Sequence, residues 1–197
     1  MVFPENLILE DERVLLRPLE FSDFEFLRPF ASGEPLIWIY SHPSPAGEDR
    51  MKQYMANTIA QRDLQKEYPF IVFDKKTGRY AGSTRFYDIQ LNNLTTQLGY
   101  TWYGADFQRT GLNRHCKWLL LSYAFETWGM ERVEFRANLK NERSIRAMKE
   151  IGCVVEGVLR SNSVTDGPDR RDTIVLSILK SEWFGTVKEN LAARIRP

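Results

Sequence analysis

Between Gln108 and Arg114 the chain reads QRTGLNR, a polar loop holding one glycine, and an amphipathic stretch running to Glu126 follows it. A helix that starts here leaves its first amides without intrahelical partners and sets the positive end of its dipole behind them, which makes an anion site. Gly111 lets the backbone approach a bulky anion with no Cβ in the way, and Arg109 and Arg114 add charge and donors. These residue types suit a pyrophosphate, while a lone glycine before a helix is by itself more often a plain turn. Two other phosphate loops are excluded. There is no G-x-x-x-x-G-K-[ST], and no G-x-G-x-x-G opens a strand–helix–strand unit with an acid about 20 residues on.

Little else in the composition points to other chemistry. The two histidines, His42 and His115, and the two cysteines, Cys116 and Cys153, stand apart, so no metal site is expected. His115 lies beside Cys116 inside the helix, where packing accounts for it. Both cysteines sit among apolar residues, as reduced thiols do, which favours a cytoplasmic protein. With 27 basic and 26 acidic residues interspersed, net charge is +1, and no nucleic acid partner is expected. The N-terminal MVFPENLILEDERVLLRPLE lacks the basic head and apolar run of a signal peptide, and no stretch of roughly 18 uncharged apolar residues suggests a membrane partner.

The elements that must position the loop follow from periodicity. RVLLRPLE reads as a strand, and SDFEFLRPFAS as a helix capped by Ser22 with Glu25 three residues on. From Gly47 to Tyr68, Met51, Tyr54, Met55, Ile59 and Leu64 recur at helical intervals. PFIVFD and RYAGSTRFYDI are strands joined through Gly78 as an antiparallel hairpin, and LTTQLGYTWY follows a turn at QLNN. Alternation in that strand sets Leu98, Tyr100 and Trp102 on one face and Gly99, Thr101 and Tyr103 on the other. Beyond the loop, Trp118, Leu121, Phe125 and Trp128 share one side of a helix that stops at Gly129. RVEFRA is a strand, NERSIRAMKEIG a helix closed by Gly152, CVVEGVLR and RDTIVLSIL are strands, and SEWFGTVKENLAARI is a short C-terminal helix. The order predicts a single mixed α/β domain over residues 1–197, with seven strands and about four helices before the C-terminal one.

Gln108, Gly111 and Asn113, placed after the strand GYTWY, form Q-x-x-G-x-N. This resembles the Q/R-x-x-G-x-G/A loop that holds the acetyl-CoA pyrophosphate in the GNAT superfamily of N-acetyltransferases. Asn113 departs from the pattern, tightening space at the helix start while leaving the amides available. Downstream, EFRANLKNERSIRAMKEIGCVVEGVLR resembles the second signature of the branch containing the ribosomal-protein-alanine acetyltransferases: Asn141, Ser144 three residues later, a helix, a glycine, then EGVLR. The resemblance spans nearly the whole chain, from RVLLRPLE to SILKSEW.

It implies the GNAT fold, a central, mostly antiparallel seven-stranded sheet whose fourth and fifth strands, LGYTWY and RVEFRA, run parallel and splay apart. Pantetheine inserts between them and pairs with the backbone of Thr101, Trp102 and Tyr103. The implied cofactor-binding set is completed by Gln108, Arg109, Thr110, Gly111, Leu112, Asn113 and Arg114 in the loop, then Asn138, Asn141, Ser144 and Arg146. Arg146 has solvated charge as its plainer reading, and Asn141 serves equally as the cap of its helix.

The implied reaction passes the acetyl group of acetyl-CoA directly to an amine within a ternary complex. The Tyr103 amide is the expected oxyanion donor, a role worth roughly 3 kcal/mol in comparable sites. Ser144 is the candidate for protonating the leaving thiolate, with satisfaction of helix-start amides as the equal reading. Relatives often carry an acid two residues before the glycine of the GY strand; this chain has Gln97, which cannot act as a base. Glu156 is available, although a glutamate in EGVLR also suits a surface ion pair. An α-amine, with a pKa near 8, is partly neutral without help, whereas a lysine amine near 10.4 is not, which tilts the acceptor toward a protein or peptide N-terminus. His42 is expected to border the acceptor site, and Trp38, Tyr40, Tyr87, Tyr100 and Trp102 to serve as core or cleft-wall aromatics. The alternatives are a small amine such as a polyamine or aminoglycoside, and, from another class, an acyl-CoA-binding module with little turnover. The family also implies a homodimer.

Overall fold

The computed structural model describes residues 4–195. Its strands are β1 (Leu9–Glu10), β2 (Val14–Pro18), β3 (Tyr68–Asp74), β4 (Arg79–Gln90), β5 (Thr95–Tyr103), β6 (Arg132–Asn138), β7 (Val154–Val164) and β8 (Arg170–Leu179). They form one eight-stranded sheet in the order β1-β2-β3-β4-β5-β6-β8-β7, antiparallel except where β5 meets β6. The additional strand relative to the seven expected is β1, whose two residues pair with Leu15 and Leu16 and are too few to carry an alternating pattern. Gly78, at φ 66°, turns β3 into β4 as its place in KKTG predicts.

Helices α1 (Phe24–Gly33) and α2 (Glu48–Asp63) pack together on one face. Helix α3 (Leu112–Ser122), prolonged by a π turn at Tyr123–Thr127, covers the other face with α5, residues 180–193, which contains its own π turn at Trp183–Val187. The two are locked by Phe125 stacked on Trp183, centroids 5.6 Å apart. Helix α4 (Glu142–Glu150) follows β6, and the Gly152 that ends it lies against Val187 of α5. His115 Nδ1 donates to Asp11 Oδ2 at 2.7 Å, tying α3 to the N-terminal strands.

Three local expectations are corrected. Ser22 does not cap the first helix: a 3-10 turn at Phe21–Asp23 precedes it, and Asp23 closes the start by accepting from the Glu20 amide while pairing with Arg17 at 2.5 Å. An acid that is buried and paired outcompetes an exposed serine there. Helix α2 ends at Asp63 rather than Tyr68, because Tyr68 and Pro69 are drawn into β3 opposite Phe86 and Arg85. The π turn shifts the spacing of the long helix, so Trp118 is half-buried while Leu121, Phe125 and Trp128 are buried.

A fourth correction positions the site. In β5, Tyr100 has φ 48° and stands with Thr101 opposite the single residue Thr84, a β-bulge between the pairs Arg85–Gly99 and Ser83–Trp102. The extra residue resets the alternation. Leu98 shares its face with Thr101 and Tyr103, toward α3, while Gly99, Tyr100 and Trp102 face α1 and α2. Beside the bulge a Cβ at Gly82 would collide with the Trp102 carbonyl, so only glycine lets β4 follow the bend.

Candidate active site

The parallel pairing of β5 with β6 covers only Thr95 with Arg132, Thr96 with Val133 and Gln97 with Glu134. Beyond Gln97 the bulge bends β5 toward β4, and β6 stays with β8 as far as Asn138. The strands therefore diverge and leave the inner edge of β5 from Gly99 to Tyr103 without a partner strand. A cleft of about 1580 Å³ opens there, lined from the α2 face by Tyr54, Thr58 and Arg85 and from the α3 face by Tyr103, Asn113 and Lys117. That exceeds the ~300–1,000 Å³ of a pocket for one small molecule and gives room for two substrates meeting through the sheet.

One mouth of the cleft is formed by the glycine loop before α3. Arg109 and Gly111 have φ of 62° and 91°, and Gly111 at the start of α3 has no side chain to cap it, leaving the Leu112 amide only a long 3.4 Å bond to Thr110 Oγ1. A Cβ built on Gly111 would meet nothing within 4 Å, so the space before the helix is open. Gln108 donates to the Tyr103 carbonyl at 2.9 Å and accepts from Arg143, so it fastens the strand end to α4. Tyr103 reaches Asn113 through its hydroxyl at 3.3 Å, and burial holds that phenol well above its ordinary range. Asn141 caps α4, accepting from the Ser144 amide at 3.1 Å, and Asn138 Oδ1 takes the Lys140 amide at 2.9 Å.

The opposite mouth is roofed by side chains from distant segments. Ser44 donates its amide to Asp166 in the β7–β8 turn at 3.2 Å, His42 lies 3.4 Å from the same carboxylate, and Tyr40 donates to the Lys140 carbonyl. Beneath this roof Arg85 is 7% exposed, stacked 3.6 Å from the Tyr100 ring and paired with Glu67 at 3.1 Å. Burial raises the Glu67 carboxyl, with Arg85 acting in the other direction. Gln97 donates to Asp88 at 2.7 Å and leaves its own Oε1 buried without a partner. Arg85 Nε, Arg171 Nε, Trp102 Nε1 and the Tyr54 hydroxyl are likewise unpartnered on these walls. Such a cluster of unmet polar groups, in a cleft between packed elements, is what a polar ligand would satisfy.

The description "Acetyltransferase (GNAT) domain" matches residues 13–154. The chain belongs to the GNAT acetyltransferases. It is 25% identical over 180 residues to the Bacillus subtilis protein YdaF, whose name describes a ribosomal N-acetyltransferase, covering 89% of this chain and 96% of that one. A GCN5-related N-acetyltransferase from Brucella melitensis superposes with a TM-score of 0.89 at 26% identity, covering 98% of this chain and 87% of that one. The ribosomal-protein-S5-alanine acetyltransferase of Vibrio fischeri shares the fold, with a TM-score of 0.72 at 19% identity over 90% of this chain and 98% of that one. This GNAT chain is therefore an acyltransferase with the mixed α/β sheet that the family implies.

All of the residues that the family resemblance selects line the one cleft except Thr110 and Leu112. Leu112 is fully buried in the core, and the Thr110 hydroxyl is turned to the Phe107 carbonyl at 2.8 Å and to the Leu112 amide at 3.4 Å. Glu156 is elsewhere, bonded to Arg132 and to Ser177 at 2.6 Å, and these partners hold its carboxyl below the usual range. His115 is outside the cleft, whereas His42 is in its roof. Sequence reasoning passed over Arg85, Glu67, Asp88 and Arg171, which nothing local distinguishes from surface charge. Lys117 did leave a signal: it begins the stripe continued by Leu120, Leu121 and Ala124, all fully buried, at helical spacing.

Proposed function

We propose that this GNAT enzyme acetylates the N-terminal α-amine of a protein or peptide by direct attack with both substrates bound. Acetyl-CoA, when bound, supplies the acetyl group as a reactive thioester. The residues present fit it: the Gly111 cradle with Arg109 and Arg114 takes the pyrophosphate, and the free edge of Thr101, Trp102 and Tyr103 takes the pantetheine amides. The Tyr103 amide then donates to the oxyanion. Ser144 protonates the leaving sulfur; since Asn141 serves the helix start, its hydroxyl is not needed there. Asn138, Asn141 and Arg146 border the same passage. We read residues 1–197 as one such domain, working in the cytoplasm, where the free, buried Cys116 and Cys153 stay reduced.

The observation that carries the acceptor assignment is the state of the carboxylates on the roofed side. Glu67 is paired with Arg85, Asp88 is held by Gln97 and Gln90, and Asp166 is engaged by His42 and Ser44. Each of these carboxylates has a partner and none stands open to a polycation, while Arg50 and Arg171 face the same space. A polyamine or aminoglycoside would meet repulsion there. An α-amine, already partly neutral near pH 8, also suits a site with Gln97 in place of a base.

The test is CoA thiol release from acetyl-CoA over peptides with free and blocked N-termini, a polyamine and an aminoglycoside. Release that requires a free peptide N-terminus supports the proposal. Stimulation by the polyamine or aminoglycoside alone transfers the assignment to small amines, and tight CoA binding with no stimulated release makes the chain an acyl-CoA-binding module.

The proposal includes a homodimer. Strand β7 is an edge of the sheet, and Val154, Val155, Val158 and Leu159 on it are between 40 and 52% exposed, an apolar edge of the kind a second copy covers. Light scattering at two concentrations should give twice the chain mass at both; a monomer at both removes this part.

A further inference from the structure

Lys117 has no role in the reaction as described so far. It is 5% exposed on α3 and stands under the splay, at the wall of the cleft. Its Nζ donates to Thr101 Oγ1 of β5 at 2.8 Å and to Thr84 Oγ1 of β4 at 3.4 Å, and these two hydroxyls are 2.7 Å apart. Across the gap, the Phe135 ring of β6 has its centroid 5.9 Å from Nζ. The ammonium thus reaches both diverging strands where their pairing has ended.

Among the described residues, no ion pair at 4.0 Å or less includes Lys117. A buried cation without an anion is costly, and structures ordinarily pair it or replace it with an apolar side chain. The groups that face it are Thr84, Thr101 and Phe135 from the sheet, Cys116 from its own helix and Cys153 from the turn before β7. Burial pushes its ammonium down to about 8, with the two cysteines acting the other way, so it is still largely charged near pH 7.

The position selects the anion. The acceptor wall of Arg85, Tyr54 and Gln97 lies on the α2 face, whereas Lys117 lies on the α3 face, the side of the pyrophosphate cradle. With the amine attacking from the first face, the second is the leaving-group side. We propose that Lys117 is a further catalytic residue whose ammonium holds the CoA sulfur as it departs. The amine nitrogen forms the C–N bond with its lone pair, the C–S bond breaks with its pair going to sulfur, and the nitrogen's proton passes to solvent. Lys117 compensates the sulfur charge without giving up a proton, and sulfur is protonated afterwards through Ser144, leaving the amide and the CoA thiol.

This rests on the reading that CoA lies in the β5–β6 splay, and the experiment separates the two. The thiol of CoA bound to the wild-type protein is titrated by its thiolate ultraviolet absorbance, then again in Lys117→Met. In the wild type it should ionise about one pH unit or more below free CoA, and in the variant it should return to the free value. The variant's kcat should fall about 100-fold, with KM for acetyl-CoA changed less than about threefold, and its thermal midpoint should not fall, since methionine fills the space without a charge. A wild-type thiol that titrates like free CoA overturns the inference, whether or not the variant folds. So does a kcat within about threefold of wild type, or an acetyl group found on Lys117 itself, which would make it a nucleophile. Failure of the wild type to bind CoA would instead sink the splay reading, and this inference with it.

Discussion

Strands β4 and β5 carry a buried cation on each face, and the two are treated in opposite ways. On the α2 face, Arg85 is stacked on Tyr100, bonded to Thr58 at 2.5 Å and paired with Glu67 at 3.1 Å. On the α3 face, Lys117 has two threonine hydroxyls and no acid. A guanidinium neutralised in the resting protein, with Nε still unpartnered, can offer a directional donor to an incoming substrate. An ammonium left uncompensated is a charge available to the reaction itself. On the proposed reading, the same pair of strands separates recognition from chemistry by facing neighbouring residues in opposite directions.

The sharpest way to break this comparison is Arg85→Met. Stranding Glu67 should cost about 3 kcal/mol or more of stability in denaturant unfolding. It should also lower kcat/KM for the acceptor by about 100-fold while the CoA dissociation constant stays within about twofold. Adding Glu67→Gln should recover much of the stability and none of the acceptor preference; recovery of both would make Arg85 purely structural.

Lys117 gives a pH signature that Arg85 does not. Its folded pKa of about 8 lies below the ordinary 10.5, so between these values the unfolded chain binds more protons than the folded one. Wild-type stability, measured relative to Lys117→Met, should therefore rise with pH across that window, by up to about 3 kcal/mol. A flat difference would mean the ammonium is solvated or paired.

Gly111→Val tests the cradle alone. A β-branched residue at φ 91° is strained, and its side chain would fill the space now open before α3, so CoA affinity should fall more than about tenfold with the fold retained. Acceptor KM at saturating acetyl-CoA should hardly move. Unchanged CoA binding would remove the loop from the cofactor site. The smallest effect is that of Asn141→Ala, which should cost about 1 kcal/mol of stability through the lost cap of α4.

The features legible in the chain are those whose cause is local. Gly78 makes a hairpin, Gly111 opens a helix, and Asn141 caps one, because each depends on conformations within a few residues. The side of the cleft proposed for the cofactor is made mostly of such features, and its residues were nameable for that reason. The side proposed for the acceptor is assembled from Tyr40, His42, Arg85 and Asp166, segments more than a hundred residues apart at the extremes, and no short pattern records that meeting. The bulge at Tyr100 was hidden because GYTWY is aromatic on both faces, so shifting the alternation by one residue changes no composition.

By itself, the sequence determined the order of all the strands but β1, the glycine loop opening a helix, and the family, since periodicity, turn chemistry and motif spacing act along the chain. Only the tertiary structure decided that β8 enters between β6 and β7, that Gln97 brings Asp88 with it, and that Lys117 is a buried charge rather than a solvated one. Those outcomes depend on which surfaces are removed from water together, and desolvation is a property of the packed molecule.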